Sequence, residues 1–101
     1  MAGDEDRYLV VRGRRWRRED PALPTDVAAR LRSHLGRGRS GVRQARRSDD
    51  DPAPHRERVD LAKRGLGERG TPWWEQSAEQ RRQRWETALR SLDALPGDPN
   101  G

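Results

Sequence analysis

Cysteine is absent from the 101-residue chain, which excludes disulfide staples, thiolate catalysis and cysteine-ligated zinc. Isoleucine and phenylalanine are absent too, and Leu and Val together number only 14. So small a supply of apolar mass falls within the range of disordered chains. The longest apolar run, Leu9-Val10-Val11, is far shorter than the ~20 residues a membrane-spanning helix needs. The start, Met-Ala-Gly-Asp-Glu-Asp, is acidic where a signal peptide is basic. These absences predict one small, soluble, cytoplasmic domain with a modest core.

Four tryptophans, Trp16, Trp73, Trp74 and Trp85, stand against the missing aliphatics. Each can bury roughly 150–250 Å² and so replaces several smaller side chains. Charged residues make up 39% of the chain and the net charge is +5, with 21 arginines and Lys63 on the basic side. An excess of Arg invites a nucleic-acid reading. It also follows from GC-rich coding, since Ala, Gly and Pro are abundant while Lys, Asn and Tyr occur once each. The placement of charge therefore matters more than its sum.

Tyr8-Leu9-Val10-Val11 and Arg14-Arg15-Trp16-Arg17 flank Arg12-Gly13, the spacing of a two-residue β-hairpin over 8–17. That register sets Leu9 opposite Trp16, and a lone hairpin is marginal, so the Leu9/Trp16 face is expected to rest on helices. Asp20-Pro21-Ala22-Leu23-Pro24 reads as an extended connector, with Thr25 as N-cap of a helix over 25–47. Val27, Leu31, Leu35, Val42 and Ala45 form its apolar stripe. Gly36, Gly38 and Gly41 interrupt it at about 1 kcal/mol each relative to Ala, which predicts fraying of the far end.

Three aspartates and two prolines in 48–54 mark a chain reversal. Val59, Ala62 and Leu66 then predict a helix over 55–66, antiparallel to the first, with Gly65, Gly67 and Gly70 as C-cap positions. Ser77 with Gln80 makes a capping box for a third helix over 77–93, carrying Ala78, Trp85, Ala88, Leu89 and Leu92 on one face. Residues 1–7 and 94–101 are expected to be disordered. The fold class is mostly α (α+β): an N-terminal β-hairpin packed on an antiparallel helical hairpin, plus a C-terminal helix.

Residues 36–41 and 65–70 match the dinucleotide fingerprint by letter. Each follows a helical stripe and lacks a βαβ unit, so no cofactor is expected. His34 and His55 lack the i,i+4 pairing of helical metal sites, and Asp49-Asp50-Asp51 is not a calcium loop, so no metal is expected either. No serine or threonine sits in a nucleophile elbow, and no catalytic residue or enzymatic activity is expected.

Two surfaces remain. Residues 25–47 carry seven arginines against Asp26 alone, and Arg37, Arg39, Arg43, Arg46 and Arg47 are candidates for contact with nucleic-acid phosphates. The competing reading is a solvated helix whose Arg stems cover apolar surface. In Glu68-Arg69-Gly70-Thr71-Pro72-Trp73-Trp74, one tryptophan is expected to pack inward and the other to lie partly exposed. Glu68, Arg69, Trp73 and Trp74 are the candidate protein-binding residues, with a purely core role as the competing reading.

The strings Tyr8-Leu-Val-Val-x-Gly13-Arg-x-Trp16-Arg, Asp20-Pro-x-Leu-Pro24 and Leu66-Gly-Glu-Arg-Gly-x-Pro-Trp73-Trp74 resemble a family of short, uncharacterised proteins from high-GC actinobacteria. The resemblance spans about residues 7–93. It implies a hairpin followed by helices, and some members carry the label "biopolymer transporter Tol". A Tol-type transducer is membrane-anchored, whereas this chain has no spanning segment. The resemblance implies no catalytic residues. The expected function is a small interaction module binding another protein through the hairpin and the Trp-rich bend, with nucleic-acid association through the first helix as the alternative.

Overall fold

The computed structural model describes residues 4–96. The order is α1 (Asp4–Arg7), β1 (Tyr8–Val11), β2 (Arg14–Arg17), α2 (Thr25–Ser48), α3 (Ala53–Leu66), a 3-10 turn (Trp73–Glu75) and α4 (Ala78–Asp93). The fold is mostly helical with one two-stranded antiparallel hairpin. Leu9 pairs with Trp16 in the expected register. Arg12 and Gly13 both take positive φ, 52° and 79°, as the favoured two-residue hairpin turn requires.

Two expectations of disorder differ from the structure. Asp4–Arg7 forms a helical turn, and the Arg18 guanidinium ties it down by donating to the Glu5 carbonyl at 2.8 Å. Past α4, Leu95 lies half-buried against the core. The rest of the tail expected to be disordered, 97–101, and residues 1–3 lie outside the described residues.

Helix α2 runs unbroken to Ser48, where Asp49 closes it in the left-handed conformation. The glycines that predicted fraying explain why it persists. A Cβ on Gly38 would stand 2.8 Å from Val59 Cγ2 and 3.1 Å from the His55 carbonyl oxygen, and one on Gly41 would collide with the His55 ring. Both glycines thus face α3 and let the two backbones approach. The propensity cost is local, whereas the packing they permit runs along the α2/α3 seam. Gly65 serves the third helix similarly, since its Cβ would meet Leu31 Cδ2 at 2.7 Å and Ala88 Cβ at 2.8 Å. It is an interior position, and the C-cap is Gly67, at φ 91°.

The core gathers Leu31 and Leu35 of α2, Ala62 and Leu66 of α3, and Trp85, Ala88, Leu89 and Leu92 of α4. Helix α4 starts from the expected capping box: Ser77 Oγ accepts from the Gln80 amide, and Gln80 Oε1 accepts from the Ser77 amide. At α2 the expected cap is corrected. Thr25 is the first helical residue and Pro24 takes the N-cap without a side-chain bond, because its ring holds φ near −58° and its carbonyl accepts from Ala28. Helix α3 begins at Ala53, two residues before the expected start, behind Pro52.

The hairpin is covered less than expected. Leu9 and Trp16 remain 44% and 41% exposed. On the opposite face only the Tyr8/Arg17 end is seated: Tyr8 meets Trp74 edge-on at 5.6 Å, Arg17 lies 5.7 Å from the Trp74 ring, and its guanidinium donates to the Gly70 carbonyl at 2.8 Å, while Val10 on that face is 64% exposed. Strand alternation distinguishes two faces but not which one an aromatic from a distant segment will cover.

The two kinds of helical glycine separate experimentally. Gly36 has open space around its Cβ position, so Gly36→Ala is expected to stabilise the fold by about 0.5–1 kcal/mol. Gly38→Ala is expected to destabilise it by about 1–3 kcal/mol through overpacking. Urea unfolding of both variants checks the pair, and the same sign for both would remove the close-approach account.

Candidate functional site

The segment 20–24, read from sequence as extended, folds around the buried carboxylate of Asp20. Oδ1 accepts from the Ala22 amide at 2.8 Å, closing a local turn, and the Asp20 amide donates to the Leu66 carbonyl at 2.8 Å. Arg84 of α4 donates to Oδ2 at 2.8 Å and Arg81, one turn earlier, to Oδ1 at 3.3 Å. Arg84 also reaches Gln76 and the Gly65 carbonyl. Arg81 reaches the Trp73 carbonyl. No sequence signal marked Asp20, since its partners lie more than 60 residues away.

This node positions the Trp bend. Trp73 is buried, and its indole N–H donates to the Arg18 carbonyl at 3.0 Å. Trp74 is half-buried, edge-on to Trp73 at 5.1 Å and flanked by Arg7 and Arg17. One tryptophan inward and one partly exposed is the expected division. Its consequence is a seat for the hairpin, with Trp74 occupied by Tyr8 and two guanidiniums.

Glu68 and Arg69 do not form the charged pair their adjacency suggested. Arg69 donates to Asp60 Oδ1 at 2.9 Å, sharing that carboxylate with Arg64. Burial raises the Asp60 carboxyl, but the bonds from Arg64 and Arg69 outweigh it and hold it below its usual range. Glu68 is half-buried, and desolvation raises its carboxyl against the pull of Lys63.

The five candidate phosphate-binding arginines of α2 separate. Arg37 is exposed, and its guanidinium reaches back along α2 to lie 3.2 Å from His34 Nδ1. Arg39 and Arg43 line a groove of about 390 Å³ between α2 and α3, with Val42, Arg56, Val59 and Arg69. Arg46 and Arg47 are exposed in the last turn. The sequence reading had not singled out Arg56, which only the packing of α3 brings to the groove.

His34, weighed above as a ligand, is a buried hydrogen-bonded residue. The buried Arg58 lies 2.8 Å from its Nδ1. Guanidinium can only donate, so Nδ1 accepts and Nε2–H points to Asp93 Oδ1 at 3.1 Å. Asp93 is also held by Arg30. Among the described residues no three His, Asp or Glu side chains cluster as metal ligands.

The Leu9/Trp16 face of the hairpin, expected to rest on helices, is largely exposed. Leu9, Val11 and Trp16 point the same way, each more than two-fifths exposed. Arg14 lies 4.9 Å from the Trp16 ring centroid and Lys63 of α3 lies 5.4 Å from it. The result is an apolar patch with an indole at its centre and cations beside it. Desolvation, together with Arg69, lowers the Lys63 ammonium from its usual value.

No protein-family model, curated protein or solved structure matches the chain. No helix among the described residues is long and apolar enough to cross a membrane.

Two measurements test the buried charges. Asp20→Ala leaves the largely buried Arg84 and Arg81 guanidiniums without their counter-charge, and urea unfolding is expected to show a loss of about 3–5 kcal/mol. Glu79→Ala, which breaks an exposed pair with Arg82, is expected to leave the midpoint in place. Desolvation, assisted by Arg37 and Arg58, lowers the His34 pKa against the bond to Asp93. Unfolded His34 protonates near pH ~6.5, so the unfolded state binds the proton first and stability falls as pH drops from there toward the lower folded value. His34→Gln is expected to flatten that part of the stability profile, and an unchanged slope would remove His34 as its source.

Proposed function

We propose that the protein is a non-enzymatic binding module that docks a partner protein on the outer face of its hairpin. The observation that carries this reading is the exposed cluster of Leu9, Val11 and Trp16 on a hairpin that is seated on Trp74 only at its Tyr8/Arg17 end. In a chain with so few large apolar residues, three of them are clustered in solvent on one face, and exposed apolar patches rimmed by charge are typical of interaction sites. Trp16 is the anchor, because indole supplies large, rigid contact area at small entropic cost. Arg14 and Lys63 beside the ring, with Arg12 at the hairpin turn, favour an acidic rim on the partner. The role of Trp73 and Trp74 in this reading is to hold the hairpin in place, which narrows the interaction surface from the bend to the hairpin itself.

A photo-activatable crosslinking residue at Val11 is expected to trap a partner that the same residue at Glu86, exposed on α4, does not. With the trapped partner purified, Trp16→Ala is expected to weaken binding by about 30-fold or more, the scale of a 2 kcal/mol hot spot. The unfolding midpoint should change little. Equal trapping at both positions, or unaltered affinity of Trp16→Ala, would sink the proposal.

A further inference from the structure

Several arginines of this molecule are placed on carboxylates. Arg30 meets Asp93, Arg32 meets Glu19, Arg64 and Arg69 share Asp60, Arg81 and Arg84 share Asp20, and Arg82 meets Glu79. In the groove between α2 and α3 three of the four lining arginines are not so placed. Arg39 and Arg43 stand four residues apart on one flank of α2, with Val42 between them, and Arg56 and Val59 stand three apart on the facing flank of α3. Arg69 closes the rim from the loop after α3. Arg39, Arg43 and Arg56 make no ion pair or side-chain hydrogen bond among the described residues, and Arg69 alone has a carboxylate, Asp60.

Four exposed guanidiniums around one groove repel each other, with only Asp60 on Arg69 and the half-buried Glu68 near Arg39 and Arg69 to offset them, and closing a ligand over them without further counter-charge is costly. An anion with several charges relieves both, because guanidinium forks match phosphate oxygens in bidentate geometry. A monoanion would leave most of the rim uncompensated. The floor, by contrast, is the aliphatic surface of Val42 and Val59, which accepts the uncharged part of a ligand. The volume of about 390 Å³ falls at the small end of the ~300–1,000 Å³ range of ligand pockets. A polymer backbone would instead run along the helix and engage Arg46 and Arg47, which lie outside the lining.

We propose that the α2/α3 groove binds a small ligand carrying two or more phosphate groups on a flat, weakly polar body, the chemistry of a nucleoside di- or triphosphate. Arg39, Arg43, Arg56 and Arg69 hold the phosphates, and Val42 and Val59 support the base. The site shares no residue with the hairpin face and stands or falls independently of it.

Isothermal titration of the full chain with ATP, pyrophosphate, adenosine and a single-stranded 20-mer, at about 50 mM salt, tests this. One-to-one binding of ATP, weaker binding of pyrophosphate and none of adenosine is the expected series. Arg43→Gln combined with Arg56→Gln is expected to weaken ATP by at least about tenfold with the urea midpoint retained, and Arg46→Gln combined with Arg47→Gln to leave it unaltered. Absence of ATP and pyrophosphate binding up to about 1 mM would overturn the site. Equal losses in the two double variants would reduce it to a diffuse field. Pyrophosphate binding as tightly as ATP would overturn the nucleoside assignment, and tight 20-mer binding that ATP fails to displace would reassign the arginines to a nucleic-acid backbone.

Discussion

The carboxylate of Asp20 has no solvent exposure, and its surroundings hold the N-terminal part of the chain to the helices. Removing such a group from water costs several kcal/mol, and the fold offsets this only because every direction around it is answered. Arg84 and Arg81 approach from α4, the Ala22 amide from the local turn, while the adjacent main chain bonds to Leu66 at the end of α3. The same arginines carry on to Trp73, Gly65 and Gln76, so one charge organises the connector, the bend and two helices. Its contribution is specificity of arrangement more than net stability. An apolar residue could fill the volume but could not select these partners.

The helical body answers a shortage of aliphatic side chains by bringing backbones together. Gly38 and Gly41 close the α2/α3 seam and Gly65 admits Leu31 and Ala88, so a core of modest volume is filled without Ile or Phe. Dispersion gained across close backbones depends on distance and not on side-chain size. A propensity cost of about 1 kcal/mol per glycine is therefore outweighed wherever the residue faces a neighbouring helix, and remains uncompensated at Gly36, which faces solvent.

The same economy shapes the surface. Several arginines are held by carboxylates, and others lie beside aromatic rings, as Arg15 does over Tyr8 and Arg7 over Trp74. The hairpin is thus fastened by guanidinium and indole contacts that need little apolar area. Its own apolar residues remain outside, and Arg39, Arg43 and Arg56 remain without carboxylates. The exposed apolar residues of the hairpin and the cationic groove are two places where internal contacts leave side chains open to a partner.

Much of the architecture was legible in short-range pattern. The Arg12-Gly13 turn set the hairpin register, Ser77 and Gln80 announced α4, Gly67 ended α3, and apolar spacing located the three long helices, because turns, caps and helical stripes act between residues a few positions apart. The candidate site was less legible. Which hairpin face is covered depends on Trp74, more than 50 residues from β2. The burial of Asp20 depends on arginines 61 and 64 residues on. Whether a helical glycine weakens or tightens the fold depends on what stands opposite it, and the arginines of α2 became separate groups only when α3 and His34 were packed against them. Local chain stiffness and capping write elements into neighbouring residues, whereas the partners of a charge or an aromatic ring exist only once distant segments have come within hydrogen-bond and van der Waals range.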